Sequence, residues 1–142
     1  MKIAILGLGI IGSRAGARLA QESAHEVRLW NRTTKHLPHE VETLEEATRD
    51  IDVVGMYLQN SPAVRDVVSQ FVPLLPAGTI LANHSTIDLE TTRWIEEQSA
   101  THGWRFLDAP FTGSREAAET GQLVYYAGGC SDLIETIRPL WL

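Results

Sequence analysis

Short apolar runs alternate with stretches of helical period along the chain. Ile3 to Leu6 is a continuous apolar run, the pattern of a central parallel strand covered on both faces. After a glycine-rich turn, Ile11, Ala15 and Leu19 recur at the spacing of one helix face. Val27 to Trp30 reads as a second strand. Thr43-Leu44-Glu45-Glu46 has the capping-box pattern and predicts a short helix ending near Asp50. Val53 to Leu58 reads as another buried strand. Ser61-Pro62 opens a helix, with proline where no N–H is missed. Thr79 to Ala82 predicts a strand, and Asp88 caps a longer helix that stops at Gly103. Phe106-Leu107 and Leu123 to Ala127 predict two more strands. Ser131 to Leu140 predicts a final helix, broken by Pro139.

This alternation predicts an α/β fold of the Rossmann type, a doubly wound, mostly parallel sheet with helices on both faces and right-handed crossovers. At 142 residues one domain, residues 1–142, accounts for the whole pattern. In such a sheet ligands bind at the carboxyl ends of the strands, near the switch in strand order.

Composition narrows the function classes. The formal charge of −6 argues against a generic nucleic-acid or anionic-membrane partner. No stretch approaches the ~20 apolar residues of a membrane span. The apolar start is interrupted by Gly7, Gly9 and Gly12 and followed by Arg14 and Arg18, unlike a signal peptide. Cys130 is the one cysteine, so neither an internal disulfide nor a thiolate metal site is expected, and a reducing, cytoplasmic setting is.

The chemistry begins at Gly7-Leu8-Gly9-Ile10-Ile11-Gly12. A GxGxxG run says little alone, but here it follows a strand and opens a helix. Gly7 permits the tight turn, Gly9 lets the backbone approach a pyrophosphate, and Gly12 lets the helix pack close to the strand. The first N–H groups of the helix then face the anion. The plain alternative is an ordinary strand-to-helix turn. About 20 residues on, where an NAD site places an acid for the ribose 2′-hydroxyl, the chain reads Trp30-Asn31-Arg32-Thr33-Thr34-Lys35. Asn31 can bond a ribose, and Arg32 can pair with a 2′-phosphate that a carboxylate would repel. This favours NADP(H) over NAD(H); a solvated basic turn is the alternative.

These residues resemble the N-terminal domain of the β-hydroxyacid dehydrogenase family, which includes 3-hydroxyisobutyrate dehydrogenase, glyoxylate and succinic semialdehyde reductases and, more distantly, 6-phosphogluconate dehydrogenase and imine reductases. The resemblance spans essentially the whole chain. It is carried by the glycine turn, Asn31-Arg32-Thr33, the Ser85-Thr86 pair, and the long segment 108–129. It implies hydride transfer between NADPH and a small carbonyl or hydroxy acid. It implies that Leu8, Ile10 and Ile11 line the pyrophosphate turn, and that Asn31, Arg32 and Thr33 hold the 2′-phosphate end. Leu58 and Gln59 would contact the cofactor, Val64 would pack near adenine, and Thr86 would approach the nicotinamide ribose. Thr112, Gly113 and Ser114 would bind the substrate carboxylate. For these last three, an N-cap before a helix is the bland reading. His84 invites a catalytic label, but no orienting acid is identifiable, and a strand-end role near the cofactor is preferred.

The family's catalytic lysine lies in a helix after this domain, beyond Leu142, and Lys2 and Lys35 are misplaced for the role. No catalytic residue and no metal site is therefore assigned, and the chain alone is expected to be inactive. A non-catalytic NADP-binding module or truncated product, and an imine-reductase-like domain, are the alternatives. The family's final strand and helical second domain also lie beyond Leu142. Ile137, Leu140, Trp141 and Leu142 would then lack cover, which predicts a homo-oligomer or a fragment of a longer protein.

Overall fold

A computed structural model describes residues 1–141. The elements are β1 (Lys2–Leu6), α1 (Ile10–Ala20), β2 (Glu26–Trp30), α2 (Leu44–Thr48), β3 (Val53–Met56), α3 (Ser61–Ser69), β4 (Ile80–Asn83), α4 (Leu89–His102), β5 (Arg105–Asp108), β6 (Phe111–Thr112), α5 (Arg115–Thr120), β7 (Val124–Tyr125) and α6 (Ser131–Trp141). Five strands form one parallel sheet in the order β2-β1-β3-β4-β5. Beyond β2 a single parallel bridge, Leu29 to Glu40, marks where a further strand would lie.

The strands bury both faces, and their alternation sorts the core into two layers. Leu6, Val54, Met56 and Leu81 pack with Val64, Val68 and Ile95 of α3 and α4. Ile3, Ile5, Val53 and Ile80 pack with Leu19 of α1 and with Leu133, Ile137 and Leu140 of α6. The chain leaves β1 toward β2, then returns across the sheet to β3 on the other side of β1. The crevice at that reversal lies beyond the carboxyl ends of β1 and β3, where Gly7 and Tyr57 stand.

The caps read from the sequence are formed. Thr43 and Glu46 make a reciprocal capping box, Asp88 accepts from the Thr91 amide, and Gly103 ends α4 at φ 74°. Four details differ. The buried face of α1 is Gly12, Gly16 and Leu19, while Ile11 and Ala15 lie at its flanks. A Cβ on Gly16 would press on the Leu29 side chain, so the first turns of this helix approach the sheet through glycines, and Leu19 packs on it further along. The Leu123–Ala127 strand shrinks to Val124–Tyr125, paired antiparallel with Phe111–Thr112 outside the main sheet. Helix α6 continues through Pro139 to Trp141, with Leu140 and Trp141 packed on the second core layer. The expected uncovered tail is also corrected. Ile137 and Leu140 are 1% and 8% exposed, and Trp141 is half-buried, because α6 lies back on the sheet. The remaining tail residue, Leu142, lies outside the described residues.

No helix is long and apolar enough to cross a membrane, and among the described residues no cluster of His, Cys, Asp and Glu could hold a metal ion.

Candidate functional site

The glycine turn is shaped by two steric facts. Gly7 sits at φ 95°, where an L side chain is strained, and a Cβ there would run into the Tyr57 carbonyl. A Cβ on Gly12 would overlap the Gly7 carbonyl oxygen, so α1 starts as close to β1 as the backbone allows. Above Gly9 there is open space. Helices α2, α3, α4 and α5 each begin with a side chain that accepts an amide of their own first turn, from Thr43, Asn60, Asp88 and Ser114. Helix α1 begins at Gly9 with no side-chain cap and no acid in its first turn. Its first amides are left for an external acceptor.

Within this turn Ile10 is exposed and Ile11 half-buried. Leu8 stands in the turn with its side chain turned away from the open side. Its side chain is buried in the core, and its amide is donated to Asn31 Oδ1 at 2.9 Å. It supports the turn from beneath, because the residue between Gly7 and Gly9 faces the sheet.

A cavity of about 560 Å³ runs from this turn along the strand ends. Gly7 and Gly9 form one part of its wall, and Asn31, Arg32, Thr33 and Lys35 another. Tyr57, Leu58 and Gln59 follow β3, and α3 contributes Ala63, Asp66 and Val67, with Gln70 at its C-cap. Those four positions make one helical stripe. Val64 falls off that stripe and is fully buried between α3 and the sheet, while Ala63 and Val67 line the cavity. Leu58 is held by its amide, which donates to Ser85 Oγ at 2.8 Å.

The basic end of the cavity is organised by side chains that bond backbone. Asn31 Nδ2 donates to the Thr33 carbonyl at 2.7 Å, so its carboxamide joins the glycine turn to the loop after β2. Glu40 accepts the amides of Lys35 and Leu37, each at 2.9 Å. Burial pushes the Glu40 pKa up, but the amides of Leu37 and Lys35 outweigh it and hold the carboxyl below its ordinary value. This role of Glu40 was not read from the sequence, where a lone acid in a polar loop carries no signal. Arg14, Arg18, Arg28, Arg49, Arg115 and Arg138 are each paired with a carboxylate. Arg32 and Lys35 are exposed and form no ion pair among the described residues. Asp66 is the one acidic side chain in the cavity wall.

At the next strand end, Asn83 donates to Asp108 Oδ1 at 2.8 Å and accepts the Ser85 amide. Burial raises the Asp108 pKa, partly offset by that Asn83 bond. His84 is buried, with Nδ1 2.9 Å from the Ala109 carbonyl, to which it donates. Burial lowers its pKa to about 4 against a smaller opposing effect of the Ala109 bond, so the ring is neutral at physiological pH. Thr86 is exposed just beyond Ser85 and outside the cavity wall. Thr112, Gly113 and Ser114 are exposed on the β6–α5 turn, also outside it, and Ser114 caps α5 by accepting the Ala117 amide.

A dinucleotide fits what these residues offer: an uncapped helix start for a pyrophosphate, an elongated cavity for the adenosine, and unpaired cations at its far end. An uncharacterised oxidoreductase of Shewanella frigidimarina is 30% identical over 98% of this chain and 51% of its own length. The chloroplastic glyoxylate/succinic semialdehyde reductase 2 of Arabidopsis thaliana is 29% identical over 98% of this chain and 41% of its own. The structure of Mycobacterium tuberculosis 3-hydroxyisobutyrate dehydrogenase with L-serine superposes with a TM-score of 0.90 at 26% identity, covering 99% of this chain and 50% of that one. The chain thus spans about half the length of these relatives, or less. Its residues 2–141 match the family described as the NAD binding domain of 6-phosphogluconate dehydrogenase, and the chain belongs to that family.

Proposed function

We propose that this chain binds NADP(H) in preference to NAD(H), as the cofactor domain of a 3-hydroxyacid dehydrogenase-type oxidoreductase. The observation that carries the preference is the unpaired Arg32 guanidinium in the cavity wall beside Thr33 and Lys35, with no acid at the end of β2. A guanidinium pairs with the two oxygens of a phosphate, while an NAD site uses a carboxylate there.

The amides of Ile10, Ile11 and Gly12 hold the pyrophosphate at the start of α1. Asn31 keeps one amide hydrogen and one lone pair for the ribose, its other groups being engaged by Thr33 and Leu8. Leu58 and Gln59 flank the middle of the cofactor, and Thr86 contacts its nicotinamide ribose. Thr112, Gly113 and Ser114 receive the substrate carboxylate, a small carbonyl or hydroxy acid of the kind named for the Arabidopsis and mycobacterial relatives. The bound nicotinamide supplies the hydride chemistry. His84 supplies no proton to the carbonyl oxygen, since burial keeps it neutral and its Nδ1–H is held by Ala109. The proton donor comes from outside residues 1–142.

Titration with NADPH and with NADH tests the preference. Tighter binding of NADPH supports it, and equal binding overturns it. Turnover of glyoxylate or succinic semialdehyde by residues 1–142 alone would overturn the assignment of the proton donor.

A further inference from the structure

Tyr57 stands between two regions that the proposed function keeps separate. Its amide donates to the Leu6 carbonyl, its carbonyl backs the Gly7 turn, and the residue forms part of the cofactor cavity wall. Its hydroxyl reaches away from that cavity and pairs with the Tyr125 hydroxyl at 2.8 Å, across 68 residues of sequence. Tyr125 lies on β7, directly opposite Phe111, one residue before Thr112. The Tyr57 ring also packs on Phe111, at 5.8 Å between centroids. Tyr125 is braced from behind by a stacked Trp141 at 4.9 Å, and His84 packs against both tyrosines. Burial pushes both phenol pKa values up, so both hydroxyls keep their protons at neutral pH.

Besides these ring contacts, the β6–β7 pair is held at this end by backbone bonds, among them the Tyr126 amide donating to the Pro110 carbonyl at 2.8 Å. Its pairing is two residues long on each strand, with one backbone bridge from Asp108 to Gly128 at its base. The helix that follows β6 packs on α1 and buries Ala118, with the exposed Arg14–Glu119 pair, of the weak kind, beside that contact.

Resting on the NADP(H) reading above, we propose that the Tyr57–Tyr125 hydroxyl pair is a positioning contact that couples occupancy of the cofactor cavity to the placement of the hairpin carrying Thr112, Gly113 and Ser114. Cofactor packed on the Tyr57 wall restricts that residue. The shared hydrogen bond passes the restriction to Tyr125, and the pairing of Tyr125 with Phe111 passes it to the substrate turn. Neither tyrosine touches reacting atoms.

Hydrogen exchange with and without NADPH tests this on the wild-type chain, on Tyr57→Phe, on Tyr125→Phe and on the double variant. In the wild type NADPH slows exchange at residues 9–12 and also at 111–125. In each single variant the protection at 9–12 persists, while that at 111–125 falls by roughly threefold to tenfold, the scale of one net hydrogen bond. The double variant loses no more than either single one, because both remove the same contact. A purely structural pair would instead raise exchange at 111–125 equally with and without NADPH, and that result overturns the proposal. So does hairpin protection that survives both substitutions but disappears in Arg14→Ala. Absence of protection at 9–12 in the wild type would sink the cofactor reading itself, whereas loss of the hairpin response alone sinks only the coupling.

Discussion

The side-chain oxygen of Asn31 accepts the backbone amide of Leu8 at 2.9 Å, across 23 residues of sequence. This bond holds the end of β2 against the glycine turn, and the same carboxamide reaches forward to the Thr33 carbonyl. Asn31 thereby sets the distance between the glycine-turn end of the cavity and its cationic end.

Asn31→Asp separates these roles. Aspartate keeps an acceptor for Leu8 but loses the donor to Thr33 and places a negative charge beside Arg32. The melting temperature should change little. NADPH affinity should fall roughly tenfold or more, about 1.4 kcal/mol or greater, with a smaller change for NADH. Equal losses for the two cofactors in parallel titrations would show that the charge does not face a 2′-phosphate.

The two glycines that flank the first turn of α1 should respond differently to alanine. A methyl at Gly9 enters open cavity space, so Gly9→Ala should leave stability intact and weaken NADPH binding. A methyl at Gly12 meets the Gly7 carbonyl, so Gly12→Ala should lower stability by about 1–3 kcal/mol, the cost of forced overpacking, and weaken binding as well. Denaturant unfolding beside cofactor titration distinguishes the pair.

His84 predicts a pH dependence of known sign. Its folded pKa of about 4 lies below the ordinary value of 6.5, so the folded state disfavours its protonation. The stability from keeping it neutral is full above pH 6.5 and is lost as pH falls from there toward 4. One proton per molecule is taken up on unfolding in that window, with a total of roughly 3 kcal/mol. Asp108, with its raised pKa, acts in the opposite direction, so the raw slope is a sum. His84→Gln should flatten the loss between pH 6.5 and 4.5 relative to wild type in urea melts; an unchanged slope would place the proton uptake elsewhere.

The layered sheet was legible because its strands are short apolar runs separated by caps whose chemistry is local. Thr43 with Glu46, Asp88 and Gly103 show their roles within four residues of themselves. The glycine turn was legible for the same reason. What escaped depends on contacts made at long range. Helix α1 turns its glycines rather than Ile11 and Ala15 to the sheet because Leu29 already fills that space. The burial of the tail depends on α6 folding back over the second layer, which no local pattern announces. The direction of the Leu8 and Val64 side chains, inward in both cases, is set by packing rather than by position in a motif. Glu40 and the Tyr57–Tyr125 pair act through partners that only the fold brings near.

The most direct measurement is the ratio of NADPH to NADH dissociation constants for the wild-type chain and for Arg32→Ala at one ionic strength. NADPH should bind more tightly than NADH to the wild type. The substitution should weaken NADPH roughly tenfold or more, the scale of a charge-assisted phosphate contact, and leave NADH nearly unchanged. A wild type that binds both cofactors equally, or a variant that keeps its NADPH preference, would contradict the account.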